Sequence, residues 1–492
     1  MALIDISNLS FTYDGSYDPV FQNVSVQLDT DWRLGFIGRN GRGKTTLLRL
    51  LMGEGAYTGT ISSPEEFDYF PFPVPDRGAD GLEVAETLRP QVEQWRLLRE
   101  LRLLDLDEGV LYRPFQTLSN GEQTRFLLAL LFLQDHRFLL IDEPTNHLDR
   151  EGRALVADYL ARKKGFILVS HDRDFLDRCV DHVLVFNRTG LEVQKGNFST
   201  WWQNKEYRDQ FEQAEQDRLK KDIKRLDETA RRTAGWSEAV EKTKYATRNS
   251  GLRPDRGFIG HKAAKMMKRS KAVEERRQSA VEEKSKLLKD LETAEDLKLH
   301  SLEHPQRRLV ECTELTIDYG GGPVNPPASF TVERGERVAL TGRNGTGKSS
   351  LLKLILGEAV PHSGALRLAS GLMLSCVPQD TSFLTGDLRE FARDSGIDES
   401  LFKAILRKLD FERVQFEKDM GAYSGGQKKK VLIARSLCQQ AHLYLWDEPL
   451  NFVDVYARMQ IERLILEYRP TMLFVEHDGA FVDRVATKTV EL

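Results

Sequence analysis

Several features that would direct a chain into a membrane or a secretory pathway are missing from these 492 residues. The longest apolar run, "FLLALLFL" at 126–133, is well short of the roughly 18 residues that a membrane-spanning helix needs. The first residues, "MALIDISNLSFTYDG", lack the basic lead and apolar core of a signal peptide. We therefore expect a soluble, cytoplasmic protein.

Cysteine is also scarce. The four cysteines are Cys179, Cys312, Cys376 and Cys438, and they lie far apart with no paired spacing. Disulfide frameworks and zinc sites usually place cysteines in closely spaced pairs. The sequence therefore indicates free thiols rather than a metal site or a set of disulfides.

Charge is distributed unevenly along the chain. The net charge is −4 overall, but residues 205–290 carry 24 Lys and Arg against 16 Asp and Glu, so the remainder carries −12. Within that span, residues 231–277 have 14 basic and 5 acidic side chains. An acidic body with a basic middle predicts a polyanionic partner for the middle alone.

Two glycine-rich loops are present, "GRNGRGKT" (38–45) and "GRNGTGKS" (342–349). Each follows a strand-like run and precedes an apolar-periodic helix, which is the context a phosphate loop requires. The glycines let backbone N–H groups surround phosphates, and the helix N-terminus adds its positive end. The predicted ATP-binding residues here are Gly38, Asn40, Gly41, Gly43, Lys44, Thr45, Thr46, Gly342, Asn344, Gly345, Gly347, Lys348, Ser349 and Ser350.

The whole chain repeats at a nearly constant offset. The two loops lie 304 residues apart, "LSNGEQ" and "YSGGQK" lie 305 apart, the Asp-Glu pairs lie 305 apart, and His171 and His477 lie 306 apart. Such spacing indicates two copies of one domain. We predict an α/β fold with two tandem phosphate-loop ATPase domains, at 1–200 and 306–492.

Each copy supplies residues for metal binding and hydrolysis. Thr45 and Ser349 are predicted to bind Mg²⁺ together with Asp142 and Asp447, which end apolar strands. The glutamates that follow, Glu143 and Glu448, are the candidates to polarise a water molecule. His171 and His477 follow strands and are predicted to contact the γ-phosphate, although such a histidine can also be a surface or core residue.

The order of these motifs resembles that of ABC-type ATPases over about 1–200 and 306–492. The resemblance implies that ATP on each loop is also bound by the signature motif of the other copy. The signature residues are Ser424, Gly425, Gly426 and Gln427 for the first loop, and Ser119, Asn120 and Gly121 for the second. It further implies that adenine stacks on Tyr13 and Tyr319, although either could instead be an ordinary aromatic residue at a strand end. It also implies that Gln379 takes part in binding ATP.

The two copies also depart from that pattern. Phe72 stands where the first copy should have the counterpart of Gln379, and Asn120 replaces a glycine in the first signature. The loops after the Asp-Glu pairs read "NHLD" at 146–149 and "NFVD" at 451–454. These differences predict two unequal ATP sites.

Between the copies, residues 201–305 are predicted to form a linker. Glycine and proline are nearly absent from 205–247, and apolar residues recur there at helical spacing. Two helices of roughly 40 residues would form an antiparallel coiled-coil hairpin about 60 Å long. The turn, within "SGLRPDRGFIGHKAAKMMKRS" at 250–270, would be its tip, near 245–262.

Basic and aromatic residues alternate near this tip, a combination that suits RNA. The alternative is a solvated coiled coil whose charge binds nothing. The candidate ribosome-contacting residues are Lys244, Tyr245, Arg253, Arg256, Phe258, His261 and Lys262.

Two such domains joined by a charged hairpin resemble the ABC-F class, and the opening and tip sequences resemble its Lsa/Vga antibiotic-resistance group. The resemblance implies a monomer that uses ATP and Mg²⁺ and binds the ribosomal exit site beside the peptidyl-site tRNA. Its tip would point at 23S rRNA of the peptidyl-transferase centre and oppose lincosamides, streptogramins A or pleuromutilins. ATP hydrolysis would release it.

A housekeeping translation factor and a membrane importer remain open as functions, whereas a chromosome ATPase is strongly disfavoured. A housekeeping translation factor of the same class would share nearly all of these features. A fused ATPase pair of a membrane importer would need only a short linker. A chromosome ATPase would split one domain around its coiled coil, whereas each copy here is complete before the next begins.

Overall fold

The computed structural model describes residues 2–13, 19–91, 93–134, 136–146, 148–187, 190–242, 297–299 and 301–492, and a few helical positions from 261 to 272. The chain divides into two compact units, one formed by Met1–Trp201 with Ala294–Leu492 and the other by Trp202–Thr293. Both repeated halves therefore belong to a single unit.

The first half alternates strands and helices. Its strands are β1 Leu3–Phe11, β2 Phe21–Asp29, β3 Arg33–Ile37, β4 Thr58–Ser62, β5 Glu66–Phe70, β6 Arg137–Asp142, β7 Phe166–Val169, β8 His182–Asn187 and β9 Gly190–Lys195. Its helices are α1 Lys44–Leu51, α2 Gly81–Leu88, α3 Gln94–Leu103, α4 Asn120–Leu131, α5 Arg150–Ala161 and α6 Arg173–Cys179, with 3₁₀ turns at Glu108–Tyr112 and Phe115–Thr117. Helix α7, Phe198–Lys242, follows.

The second half repeats this order. Its strands are β10 Arg308–Ile317, β11 Ala328–Glu333, β12 Arg337–Thr341, β13 His362–Leu368, β14 Leu374–Val377, β15 Leu443–Asp447, β16 Met472–Val475 and β17 Lys488–Glu491. Its helices are α8 Lys348–Ile355, α9 Leu388–Asp394, α10 Glu399–Lys408, α11 Gly425–Cys438, α12 Val455–Tyr468 and α13 Gly479–Val485, with 3₁₀ turns at Arg413–Glu417 and Met420–Ala422.

Each half contains a mainly parallel sheet and a small antiparallel sheet. The parallel orders are β5-β6-β7-β3-β8, with β9 antiparallel at the edge, and β14-β15-β16-β12-β17. The antiparallel orders are β2-β1-β4 and β11-β10-β13. The central strands β6 and β15 are continuous buried apolar runs, as expected for parallel strands covered on both faces. The predicted two-domain α/β fold is confirmed.

This topology places the candidate site residues at one edge of each parallel sheet. Strands β3, β6 and β7 run parallel, so their carboxyl ends meet at one edge of the sheet, where α/β proteins bind ligands. Four aspartates, two after strands of this sheet and two after strands of the second parallel sheet, cap the helices that follow, because their carboxylates accept the free N–H groups of the first turn. These are Asp149, Asp172, Asp454 and Asp478.

The linker is described only in part. Helix α7 spans 45 residues, and its Tyr207 and Phe211 are exposed. His261 is helical and exposed. The other candidate tip residues, Lys244, Tyr245, Arg253, Arg256, Phe258 and Lys262, lie outside the described residues. The hairpin and its coiled-coil pairing stay predictions.

The structure bears on two expectations from the sequence, free cysteines and the lack of a membrane-spanning helix. All four cysteines are free, and burial raises the thiol pKa of Cys312 to about 12 and that of Cys376 to about 11. Among the residues whose structure is described, no helix combines the length and the hydropathy needed to cross a membrane.

Candidate functional site

The phosphate loops connect the central strands β3 and β12 to helices α1 and α8. Gly43 and Gly347 cap these helices with φ angles of 87° and 77°, in the left-handed region that favours glycine. A Cβ atom on Gly43 would also lie 2.9 Å from the ring of Phe21. The loops therefore present the free N–H groups of a helix N-terminus, an arrangement that binds phosphate.

Both loop lysines are buried and bridge their own loops. The Lys44 ammonium donates to the carbonyl oxygens of Gly38 (2.7 Å) and Arg39 (3.1 Å). Lys348 does the same with Gly342 (2.8 Å) and Arg343 (2.6 Å). Burial lowers the pKa of Lys44, and the carboxylates of Asp454 and Glu143 oppose that change. Each ammonium is thus held at the mouth of a loop that can receive phosphates.

A hydroxyl and a carboxylate meet beside each loop. The Thr45 hydroxyl donates to Asp142 Oδ2 at 2.8 Å, and Ser349 hydrogen-bonds Asp447 in the same way. Burial raises the pKa of Asp447 to about 6, and its Oδ1 is buried without a hydrogen-bond partner in the described structure. Such an oxygen fits a hard cation. These two protein oxygens per site would hold Mg²⁺, with phosphates and water completing its shell.

The hydroxyl of Tyr69 is a further partner of the first carboxylate. It donates to Asp142 Oδ2 at 3.1 Å, and burial together with this contact raises the tyrosine pKa. Its strand position corresponds to Cys376 in the second copy, because β5 and β14 pair in matching register with β6 and β15. Nothing in the sequence singled out Tyr69, since it belongs to no repeated motif.

Each glutamate lies beside the histidine of its own half. Nε2 of His171 is 3.2 Å from Glu143 Oε1, and Nε2 of His477 is 3.5 Å from Glu448 Oε1. Both glutamates adopt positive φ, 50° and 46°, a strained geometry that persists where surrounding structure fixes it. The structure thus brings together the predicted hydrolytic residues of each copy.

The two glutamates differ electrostatically. Burial and the neighbouring Asp142 raise the pKa of Glu143 to about 8. Burial also acts to raise the pKa of Glu448, but hydrogen bonds from His477 and Gln379 outweigh it, so this pKa is lowered. The pKa values of these equivalent carboxyl groups are therefore shifted in opposite directions in the two halves.

Phe72 occupies the position that Gln379 has in the second half. Phe70 pairs with Ile141 and Val377 pairs with Trp446, so the residue two places on is equivalent in both sheets. The Arg89 guanidinium lies 5.1 Å from the centroid of the Phe72 ring. The first half thus has the Phe72 ring beside the Arg89 guanidinium, where the second half has the Gln379 amide, which hydrogen-bonds Glu448.

The two halves together line each ATP cavity. A cavity of about 440 Å³ contains Tyr13, the first loop, Asp142, Glu143 and His171, together with Ser424, Gly425 and Gly426 of the second half. Another of about 440 Å³ contains Tyr319, the second loop, Gln379, Glu448 and His477, together with Asn120 of the first half. Asn40 Nδ2 donates to the Phe452 carbonyl at 2.7 Å across the first boundary.

Other signature residues lie beside these cavities. Ser119 and Gly121 line an adjoining cavity of about 630 Å³, whereas Asn120 lines both this cavity and the second ATP cavity. The Gln427 side-chain oxygen accepts the Ser424 N–H at 2.9 Å and so closes a helix cap. Asn120 lies at the point where the first signature meets the second ATP cavity.

The two candidate adenine platforms are anchored alike. The Tyr13 hydroxyl hydrogen-bonds Thr46 Oγ1 at 2.6 Å, and the Tyr319 hydroxyl donates to Ser350 Oγ at 2.8 Å. Both rings are exposed. Hydrogen bonding at the tip of each ring fixes an accessible aromatic face beside the loop, as stacking on adenine requires.

Comparisons with known proteins agree with this geometry. The family model described as "ABC transporter" matches residues 21–146 and 326–451. The ribosome protection protein VmlR of Bacillus subtilis strain 168 is 26% identical, over 98% of this chain and 85% of its own. The energy-dependent translational throttle protein EttA of Haemophilus influenzae is 25% identical, over 96% of this chain and 89% of its own.

The fold is also similar to that of a solved structure. In the complex of archaeal ribosomal stalk protein aP1 and archaeal ribosome recycling factor aABCE1, one chain superposes with a TM-score of 0.63 at 20% identity. The match covers 98% of this chain and 87% of that one. The family model matches both halves, and each half contains the phosphate loop, Asp-Glu pair and signature. The chain therefore belongs to the ABC transporter family, as an ATPase with two ABC domains.

Proposed function

We propose that this protein binds the ribosome and protects it from antibiotics that act at the peptidyl-transferase centre. The observation that carries the proposal is one unit with two ATP cavities, each lined by both domains, from which a charged 45-residue helix, α7, leads into a basic segment. ATP can thereby set the spacing of the domains, and the basic segment suits rRNA.

In the proposed mechanism the protein enters the ribosomal exit site beside the peptidyl-site tRNA and places the linker tip near the 23S rRNA of the catalytic centre. There it opposes lincosamides, streptogramins A or pleuromutilins. ATP binding favours the closed, ribosome-bound state. Hydrolysis, for which Glu143 and Glu448 are the proposed bases, releases it. Similarity to a protein named for ribosome protection supports this choice.

Co-sedimentation tests the ribosome step. A Glu143→Gln/Glu448→Gln variant should bind ATP, hydrolyse it slowly and accumulate on ribosomes in a sucrose gradient. A Lys44→Ala/Lys348→Ala variant is the matched control, because loss of both ammonium groups removes phosphate binding, and it should stay in the free fraction. If the glutamine variant also stays free in ATP, the ribosome proposal fails.

A second candidate is a translation factor without a role against drugs, which similarity to a translational throttle protein supports. Expression of the wild-type chain in a drug-sensitive host separates the two. Resistance predicts a higher inhibitory concentration for at least one of the three drug classes and none for the Lys44→Ala/Lys348→Ala control. Unchanged sensitivity to all three, together with ribosome binding, would favour the translation factor.

A fused ATPase pair of a membrane importer is the remaining alternative. Its ATPase domains would have the same two cavities, and partner subunits would supply the membrane part. Strong co-purification with membranes, together with absent ribosome co-sedimentation, would favour the importer.

A further inference from the structure

The start of α7 packs directly on the second domain. Phe198 and Trp201 lie in the first turns of this helix, within the two-domain unit, and both are buried. The Trp201 ring meets the ring of Tyr456, on α12, edge to face with centroids 6.3 Å apart. The start of α7 is thus anchored on Tyr456, in the first turn of α12.

Tyr456 also contacts the first phosphate loop. The Arg39 guanidinium carbon lies 5.4 Å from the centroid of the Tyr456 ring, within the range of a cation–π contact. The same guanidinium forms a 2.8 Å ion pair with Asp410, also from the second domain, and the Arg39 side chain is only 14% exposed. One arginine therefore connects the loop of the first ATP site to two residues of the other domain.

The backbone of Arg39 takes part in the phosphate loop itself. Its carbonyl oxygen accepts a hydrogen bond from Lys44, the residue predicted to reach the phosphates of ATP. Across the same boundary, the neighbouring Asn40 donates to Phe452. The first ATP cavity is lined from both sides of this boundary, so ATP bound there favours the domain spacing at which Arg39 meets Tyr456.

The equivalent positions of the second site are arranged differently. Arg343, Glu151 and Asp105 correspond to Arg39, Tyr456 and Asp410. Arg343 pairs with Glu151 at 3.0 Å, but these side chains are 76% and 72% exposed, and such a pair contributes little in water. All three line the open cavity of about 630 Å³. Where the first side has a buried aromatic contact to the linker helix, the second has a solvated ion pair.

We propose that Arg39 is a positioning residue through which ATP at the first site, and not at the second, orders the start of α7 by way of Tyr456 and Trp201. The contact joins the two domains across the boundary that lines the first ATP cavity. By thermodynamic reciprocity, whatever fixes the start of α7 raises the ATP affinity of the first site by the same factor. This connection requires only the ATPase assignment and holds with or without a ribosomal role.

Hydrogen–deuterium exchange of the full chain tests this proposal. The parent is the Glu143→Gln/Glu448→Gln variant, and the readout is the backbone exchange rate of residues 198–205 with and without ATP and Mg²⁺. ATP should slow exchange there. In Arg39→Ala this protection should fall about twofold to thirtyfold, since a partly buried cation–π contact contributes about 0.5–2 kcal/mol. In the matched control Arg343→Ala it should be unchanged.

Two further pairs of variants separate this connection from a general loss of structure. Tyr456→Phe keeps the ring and should retain the protection, whereas Tyr456→Leu should lose it. Adding Lys44→Ala to the parent should abolish the protection, whereas adding Lys348→Ala should leave it. The proposal is overturned if ATP gives the parent no protection at this segment, if Arg343→Ala acts as strongly as Arg39→Ala, or if Lys348→Ala removes the protection that Lys44→Ala leaves.

Discussion

At the scale of single residues, the two ATP sites differ at one equivalent position, where the first site has Phe72 and the second has Gln379. Gln379 hydrogen-bonds Glu448, whereas Phe72 has no polar atom on its side chain and lies under the Arg89 guanidinium. An amide in this position can hold the glutamate in one orientation, and a ring cannot. This difference affects the chemistry of each site and not the fold, because the strands that precede Phe72 and Gln379 pair in the same register.

We predict that Phe72→Gln raises ATP hydrolysis at the first site. Measured in a Glu448→Gln background, which leaves the first site as the active one, the rate of phosphate release should increase roughly fivefold to tenfold, about the contribution of one hydrogen bond. The reciprocal control is Gln379→Phe in a Glu143→Gln background, where the rate should fall by a similar factor. Unchanged rates in both would show that this position does not orient the glutamate.

The single variants Glu143→Gln and Glu448→Gln should also differ. Glu448 is oriented by both Gln379 and His477, so we expect Glu448→Gln to remove the larger share of steady-state ATPase activity. Phosphate release by each purified variant is the measurement. An equal decrease in both variants would contradict the prediction of two unequal sites.

At the scale of secondary-structure elements, the domain interface departs from the internal repeat. Arg173, at the start of α6, donates to Glu462 of α12 at 2.6 Å, and both side chains are buried. The equivalent positions in the opposite pair of helices are Gly479 and Ala157, which line a cavity of about 90 Å³. Helices α6 and α12 are therefore joined by a buried ion pair, whereas α13 and α5 have small residues at the equivalent positions.

We predict that the buried and exposed partners of Glu462 contribute very differently to stability. Arg173→Met breaks the buried pair and should lower the free energy of unfolding by about 3 kcal/mol. Arg484, which also donates to Glu462 but is 60% exposed, provides the control, and Arg484→Met should cost less than about 1 kcal/mol. Urea unfolding followed by circular dichroism measures both, and equal destabilisation would contradict this prediction.

At the scale of the whole molecule, the separation of charge is the main feature. Residues 205–290 carry a net charge of +8 on a chain whose remainder carries −12. A polyanion would therefore meet attraction at the middle of the chain and repulsion from the rest.

We predict that ribosome binding weakens steeply with salt. Removing one side chain that binds a phosphate should reduce the slope of log affinity against log salt by about one, so Arg253→Ala/Arg256→Ala should reduce it by up to about two. Arg307→Ala is the control, because this exposed arginine pairs with Glu333 in the second domain, and its slope should match the wild type. A flat salt response of the wild-type protein would argue against phosphate binding by the linker.

Phe258→Ala should leave ATPase activity and ribosome co-sedimentation near the wild-type values while reducing drug protection. The physical reason is that an aromatic ring between Gly257 and Gly260 would act by stacking or by shape, not by binding phosphate. Tyr207→Ala, at an exposed aromatic residue of α7, is the control and should retain protection. Unchanged protection in Phe258→Ala would mean that the tip acts through charge or overall shape.

Much of the fold was accessible from the sequence because its signals are local. A phosphate loop is a short run of glycines between a strand and a helix, and its repetition 304 residues later identifies two domains. The apolar strands that end in Asp142 and Asp447 are likewise continuous in sequence. The near absence of glycine and proline from 205–247 predicts a helix there, and α7 spans Phe198–Lys242.

The contacts that make the two sites unequal were decided by tertiary structure. Comparing the two repeats could show that Phe72 replaces a glutamine, but not that Tyr69 binds Asp142 or that Arg173 meets Glu462. Arg39 likewise belongs to a motif, yet its partners Tyr456 and Asp410 lie in the other domain. The repeat determines two equivalent sets of catalytic parts by itself. Only the docking of the domains brings residues from distant parts of the chain together, because cation–π contacts and buried ion pairs depend on distance in space.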